Sequence, residues 1–368
     1  MIEIKLLNRK QLTEFINSSE FKELEFIPIS KHRALSHIQN PRVDDNDVLL
    51  LIAYLDEKLV GYLGVLPEII QLSDNKNMKC GWLSCLWINP LNRGQRIAQQ
   101  LLAKCFEVWE NRILVTEFTE SAKGLYDKSG IFTDLQIKQG LRLYVRSDLQ
   151  KLLPPKSNIF SKIGFLLKLT DGIFNFFADS RFIFCKSKPK DIRIEYINHI
   201  DEEIKTFISA KQENQLFKRG IDELNWIIKN PWILSSTTDD YSSSRYHFSS
   251  LDKSFGFYAL KFYNQKNQIV AFIILSKRNK NLKVPFFYCD SQSLEMVVKV
   301  IKQHITKWKI NTFTVFHPNL VEYFEKHKSP ALLKKQIKRH YIVANIIASQ
   351  LVINLNEIQD GDADCSFT

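Results

Sequence analysis

Short apolar runs bounded by turn residues predict strands at Ile2–Leu7, Val48–Leu55, Leu59–Leu66 and Met78–Ile88, with Asp56-Glu57-Lys58 as the turn between the second and third. A helix starts at Arg9 and runs to Asn17. After Ile88 the spacing changes to that of a helix: Leu101, Leu102, Cys105, Phe106 and Trp109 fall on one face of Ile97–Asn111. Ile113–Phe118 reads as a short buried strand, and Ser121–Lys128 as a helix stopped by Gly130. Ile131–Lys138 and Arg142–Val145 read as a closing hairpin around Gly140.

The pattern breaks at Leu153-Pro-Pro-Lys156. Two strongly apolar short helices follow, at Ile159–Leu169 and Ile173–Phe177, interrupted by Lys162, Lys168 and Asp171. Apolar residues lie almost all round them, which favours a connector buried between domains over an interfacial membrane helix. Beyond Lys186–Lys190 the pattern restarts with strands and helices in the order of the first half, without visible identity to it: Ile192–Tyr196, Ile200–Ala210, Ile221–Trp232, Phe257–Tyr263, Gln268–Ser276, Leu282–Cys289, Leu294–Lys307, Thr312–Phe316 and Tyr341–Ala348. The serine-rich aromatic segment Tyr241–Phe248 reads as a loop over a shared cleft.

A chain of 368 residues accommodates two domains. No apolar run approaches the ~20 residues needed to span a bilayer. Met1-Ile-Glu-Ile-Lys has an acid where a signal peptide carries basic residues. Cys80, Cys85, Cys105, Cys185, Cys289 and Cys365 form no Cys-x-x-Cys pair, so we expect reduced thiols, a cytoplasmic protein and no metal site. Residues 1–150 balance 19 basic against 19 acidic side chains, so the whole net charge of +11 sits in the remainder. That half has a field suited to an anionic partner, though scattered lysines are first of all a solvated face.

The segment Trp82–Leu102 carries the chemistry. A strand is followed by the turn Arg93-Gly94-Gln95-Arg96-Ile97-Ala98 and then by a helix. Backbone N–H groups at the positive end of a helix, next to arginines, bind a pyrophosphate. The turn resembles the acyl-CoA loop of the GNAT acyltransferase superfamily, Gln/Arg-x-x-Gly-x-Gly/Ala, with Arg93 in the first place and Ala98 in the last. Arg96 stands where the family usually has its first glycine, which distorts the loop if that place needs positive φ. The segment Ala122–Phe132 resembles the family's Ala-x-x-Leu-Tyr-x-Lys-x-Gly-Phe, with Ile131 intervening before Phe132. Leu224-Asn-Trp-Ile-Ile-Lys-Asn-Pro231 resembles a Trp-x-x-x-Asn-Pro stretch of second domains in some bacterial tandem members.

The resemblance covers roughly residues 1–147. It implies an α/β (α+β) fold of two GNAT-like domains, each a mixed, mostly antiparallel twisted sheet flanked by helices. The expected boundaries are 1–150 for the domain with the acyl-CoA loop, 151–190 for the apolar connector, and 191–368 for a degenerate domain. The resemblance also implies acetyl-CoA or another acyl-CoA, held by Arg93, Gly94, Gln95, Arg96, Ile97 and Ala98. Leu86, Trp87 and Ile88 would line the pantetheine arm, with an N–H near Leu86 polarising the thioester. Tyr126 would protonate the leaving thiolate, or only pack over the arm. Glu117 is the first choice of base, ahead of Glu120 and Glu68. Cys85 reads as a small buried filler.

The second half has Cys289-Asp-Ser-Gln-Ser-Leu-Glu295 at the matching place, with no glycine or arginine, so we expect no acyl-CoA there. The implied activity is direct transfer of an acyl group to a primary amine of a small molecule, an amino sugar being one family analogy. A FemAB-type aminoacyl-tRNA-dependent transferase and a non-catalytic CoA-binding interaction protein are the alternatives. No DNA partner is expected, and membrane contact is the lesser reading of the connector.

Overall fold

The structure, a computed structural model, describes residues 1–73, 76–154, 157–181, 192–236, 245–329, 331–352 and 357–367. Cys185, the run 186–190 and the start of the aromatic segment, 241–244, lie outside the described residues. In chain order the strands are β1 (Ile2–Leu7), β2 (Leu50–Leu55), β3 (Lys58–Ser73), β4 (Lys76–Ile88), β5 (Ile113–Thr116), β6 (Phe132–Tyr144), β7 (Arg193–Ile197), the two-residue β8 (Leu234–Ser235) and β9 (Leu251–Asp252), β10 (Phe255–Tyr263), β11 (Ile269–Arg278), β12 (Asn281–Cys289), β13 (Thr312–Val315) and β14 (Leu333–Ala344). The helices include α1 (Arg9–Phe15), α2 (Ser19–Glu23), α3 (Lys31–Ile38), α4 (Ile97–Val108), α5 (Glu120–Ser129), α6 (Leu149–Leu152), α7 (Asn158–Lys162), α8 (Gly164–Arg181), α9 (Glu202–Ser209), α10 (Ile221–Lys229) and α11 (Leu294–Lys307). The result is the expected mixed α/β architecture, a mostly antiparallel sheet flanked by helices.

The chain divides into two compact units that are discontinuous in sequence, whereas the sequence reading drew linear boundaries at 150 and 190. Unit 1 gathers Met1–Lys138, His199–Phe255 and Arg339–Thr368; unit 2 gathers Gln139–Asn198 and Gly256–Lys338.

In unit 1, β1, β2, β3 and β4 pair antiparallel in order. Asp56 and Glu57 turn β2 into β3 with positive φ at both residues, the backbone of a tight hairpin. β4 pairs in parallel with β5 at Gly81 and Trp82, and β14 pairs antiparallel with β5 through Tyr341–Val343. The core face of α4 is the predicted one: Ile97, Leu101, Leu102, Cys105 and Phe106 are buried against the sheet. Truncating Leu101 to alanine would cost about 2–5 kcal/mol.

A buried ionic cluster belongs to the same unit. Arg219 bonds Asp362 and Glu68, each at 2.7 Å, and Arg42 pairs with Glu68 and, at 3.1 Å, with Glu223. These groups join the segments 199–255 and 339–368 to β3, a connection no local pattern announces. Desolvation, then the charge of Arg219, pulls the Arg42 guanidinium down to about 10. Removing one member of such a cluster costs about 3–5 kcal/mol, because the others are left buried and unpaired.

In unit 2, β7 pairs with β10, β11 pairs antiparallel with β12, and β12 pairs in parallel with β13. The C-terminal end of β6 then pairs antiparallel with β13, Leu141–Tyr144 against Thr312–Val315. The closing hairpin expected around Gly140 is therefore a single strand. Gly140 is there for space: a Cβ would lie 2.4 Å from the Phe316 ring.

α8 belongs to this unit and differs from the expected buried connector. Most of its large apolar residues are exposed, and Asp171 and Asn175 turn inward beside Leu167 and Ala178. Asp171 accepts from the backbone N–H groups of Leu149 and Gln150 and from Ser147 Oγ, and Asn175 bonds both backbone groups of Ser147. Among the described residues no helix is long and apolar enough to cross a membrane.

Candidate active site

The turn after β4 begins as a 3-10 turn, Pro90–Asn92, capped by the Asn89 side chain. Gly94 follows with φ +88° and Arg96 with φ +60°. Both lie in the left-handed region, so the glycine place taken by Arg96 is one where a side chain is strained, at a cost of about 1–2 kcal/mol. Alternating backbone hands turn successive N–H groups toward one concavity, which is how a nest for an anion forms. Arg96 is also the N-cap of α4, with no side chain capping it and no acid in the first helical turn. The positive end of that helix is left to whatever binds there. Arg93, Gly94, Gln95 and Arg96 are all exposed.

β4 reaches this turn through a bulge. Gly64 faces Ser84 but Tyr62 faces Trp87, so Cys85 and Leu86 together oppose Leu63. Cys85 has φ +58°, so with Arg96 it is one of two strained side-chain-bearing residues within a dozen positions. Since β5 pairs with β4 at Gly81 and Trp82, Ser84–Ile88 run on beyond that parallel pairing.

The bulge is held from behind. The Arg33 guanidinium, buried in α3, donates to Cys85 Sγ, to Ser84 Oγ at 2.7 Å and to the Tyr246 hydroxyl at 2.8 Å. It also stacks 3.9 Å from the Trp232 ring. Ser84 Oγ in turn donates a hydrogen bond to Asp364 at 2.5 Å. Desolvation, then the negative charge of Glu117, raises the Asp364 carboxyl above its ordinary value. Cys85 is thus half-buried and bonded to Arg33, more than the filler expected from sequence.

A cleft of about 630 Å³ opens between these parts, a usual size for a small-molecule site. Leu86, Trp87 and Ile88 form one wall. Arg93, Gly94, Arg96, Ile97 and Ala98 form its phosphate-sized end, while Gln95 is not among its lining residues. α5 supplies the opposite wall through Ser121, Ala122, Gly124, Leu125 and Lys128, with its N-cap Thr119. His247 and Phe248 also line the cleft. They come from the serine-rich aromatic segment, whose only sequence signal was its run of rings. The Trp87 ring lies 5.6 Å from the imidazole of His247 and 5.1 Å from Phe26.

Two predicted catalytic groups are elsewhere. Tyr126 is 3% exposed and sits in the core, its ring 5.5 Å from Phe132 and 6.0 Å from Phe118. Burial drives its phenol far above the ordinary value, so it holds its proton. The α5 face that reaches the cleft is that of Ser121, Leu125 and Lys128, and Tyr126 is on the other. Glu117 has φ +50° and bonds Arg339 at 2.8 Å. Among the other carboxylates considered, Glu68 is locked in the buried ionic cluster and Glu120 is exposed in the first turn of α5.

Residues 12–131 match the model of the Acetyltransferase (GNAT) family. No curated protein matches the chain by sequence. Among solved structures, a protein of Enterococcus faecalis V583 described as a probable N-acyltransferase is 8% identical, with a TM-score of 0.53 over 93% of this chain and 72% of its own. A GCN5-related N-acetyltransferase of Anabaena variabilis is 10% identical, with a TM-score of 0.51 over 93% and 72%. The N-myristoyltransferase of Saccharomyces cerevisiae, solved with bound myristoyl-CoA, is 10% identical, with a TM-score of 0.50 over 93% and 80%. At such identities the likeness is one of fold. The family match covers the segment that builds most of the cleft, so residues 12–131 are similar in sequence, and the chain in fold, to GNAT acetyltransferases.

Proposed function

We propose that the chain transfers an acetyl or other acyl group from acyl-CoA to a primary amine of a small molecule, directly and without an acyl-enzyme. The observation that carries this reading is the strained turn at Gly94 and Arg96, at an uncapped helix N-terminus that opens into the cleft beside β4. The residues fit the group. N–H donors, two exposed arginines and no acid in the first turn suit a pyrophosphate. Acyl-CoA supplies the thioester.

Arg93 and Arg96 bind the phosphates, and the backbone from Gly94 to Ala98 orients them. Leu86–Ile88 align the arm along the wall of the cleft, and an N–H near Leu86 polarises the carbonyl. His247, the imidazole lining the cleft, takes the proton of the amine; this replaces Glu117, whose carboxylate is engaged by Arg339. Tyr126 has a packing role. The aromatic walls Trp87 and Phe248 favour an amine with a flat or apolar face.

The test is calorimetric titration of acetyl-CoA into the full chain, followed by a panel of amines. One site in the micromolar range and turnover of a small amine is the expected result. No binding would overturn the reading and favour the tRNA-dependent alternative. His247→Ala should lower kcat about a hundredfold while leaving acyl-CoA affinity unchanged; an unaltered kcat removes the base assignment alone.

A further inference from the structure

α8 is built inside out. Counted at 100° per residue, Leu167, Asp171, Asn175 and Ala178 share one face, and this is the face turned to the protein. Three of its polar side chains do the docking: Asp171 and Asn175 hold Ser147–Gln150, and Asp179 pairs with Arg146. The opposite face carries Phe165, Leu166, Leu169, Ile173 and Phe176, exposed between 54% and 75%, and Phe174 flanks the docked face at 52%. An ordinary surface helix has the reverse polarity. Ile159 of α7 extends the same kind of surface at 69% exposure. So large a patch of contiguous apolar side chains marks a place of interaction.

Charge identifies the partner. From Leu149 to Arg181 the sequence has Lys151, Lys156, Lys162, Lys168 and Arg181 against Asp171 and Asp179. Both acids are spent inward, in the bonds just described, and Lys151, Lys162 and Lys168 are exposed. Aromatic and aliphatic side chains flanked by outward lysines suit the surface of an anionic bilayer, where rings enter the acyl boundary and ammonium groups meet the phosphates. A second protein copy would meet the same lysines as like charges. The helix does not qualify as a span, so it would lie in the plane of the surface. We propose that the outward face of α8 docks the protein peripherally on anionic lipid.

The test is co-sedimentation of the full chain with vesicles of phosphatidylcholine containing phosphatidylglycerol, beside vesicles of phosphatidylcholine alone. The chain should pellet with the anionic vesicles. A Phe165→Ser, Leu169→Ser, Phe176→Ser variant should lose at least about fivefold of that binding, and Lys162→Glu with Lys168→Glu should abolish the preference for anionic lipid. Acetyl-CoA titration and circular dichroism verify that the variants remain folded. If the chain stays in solution with anionic vesicles, or the folded serine variant pellets as before, the proposal fails. It fails equally if sedimentation velocity shows a lipid-indifferent dimer that the serine variant converts to monomer, since the face would then bind a second copy.

Discussion

The turn from β4 into α4 and the turn from β12 into α11 occupy the same place in two similarly ordered sets of strands, yet only one is shaped for an anion. Each follows a strand whose parallel pairing with its neighbour, at Gly81–Trp82 in β4 and Asn281–Lys283 in β12, stops short of the turn. In β4 the bulge falls at Cys85–Leu86, just before the turn. In β12 the register shift lies earlier, opposite Leu275, and Phe286–Cys289 pair regularly with Ala271–Ile274. The first turn has positive φ at Gly94 and Arg96; among the described residues none occurs between Cys289 and Leu294, where Asp290 is extended and Ser293 right-handed. The first helical turn of α4 has no acid, whereas that of α11 has Glu295, bonded to Lys299. A shared scaffold therefore leaves the function to about a dozen residues of backbone hand and charge.

Removing the charge from the first turn should have the largest effect. An Arg93→Ala, Arg96→Ala variant loses two charge-assisted contacts of ~1.5 kcal/mol each, so acyl-CoA affinity should fall about a hundredfold by calorimetry. If affinity is unchanged, the two turns do not differ in the way described. Next comes backbone hand. Gly94→Ala adds a Cβ that meets no atom within 4 Å, so any loss is strain at φ +88°, and about tenfold weaker binding is expected with little change in melting temperature. Tyr126→Phe is smaller still: kcat within about threefold, because the phenol is in the core. A fall of a hundredfold or more would return the acid role to it. The smallest effect tests the other turn. Asp290→Ala with Glu295→Ala should leave the stoichiometry at one acyl-CoA per chain, and a second site would mean that charge alone had kept the β12 turn empty.

The first turn was legible because its information is local. The strand Met78–Ile88, the run Arg93–Ala98 and the stripe from Leu101 to Trp109 lie within about thirty residues, and Arg96 announced its own strain by standing in a glycine place. Tyr126 was misjudged because a motif fixes position along a helix but not which face meets the cleft. The strand through Gly140 was read as a turn since the reason for that glycine, the Phe316 ring, is far away in sequence. His247 and Phe248 come to the cleft from the segment His199–Phe255, which joins unit 1 through Arg219 and Arg42 rather than through any periodicity. In α8 the apolar residues lie nearly all round, so sequence did not tell which face the polar minority would dock.

The pairing of β5 with β14 has a consequence for how the chain is made. Tyr341 meets Thr116 about 225 residues after it leaves the ribosome, a wait on the order of ten to forty seconds at ~5–20 residues per second. Through that interval the nascent GNAT-like domain has an open β-edge, the kind of surface that recruits wrong partners. A fragment cut at residue 150 freezes the chain in that unfinished condition, so soluble expression should depend on completing the C-terminus and on the chaperones that shield the strand until it arrives.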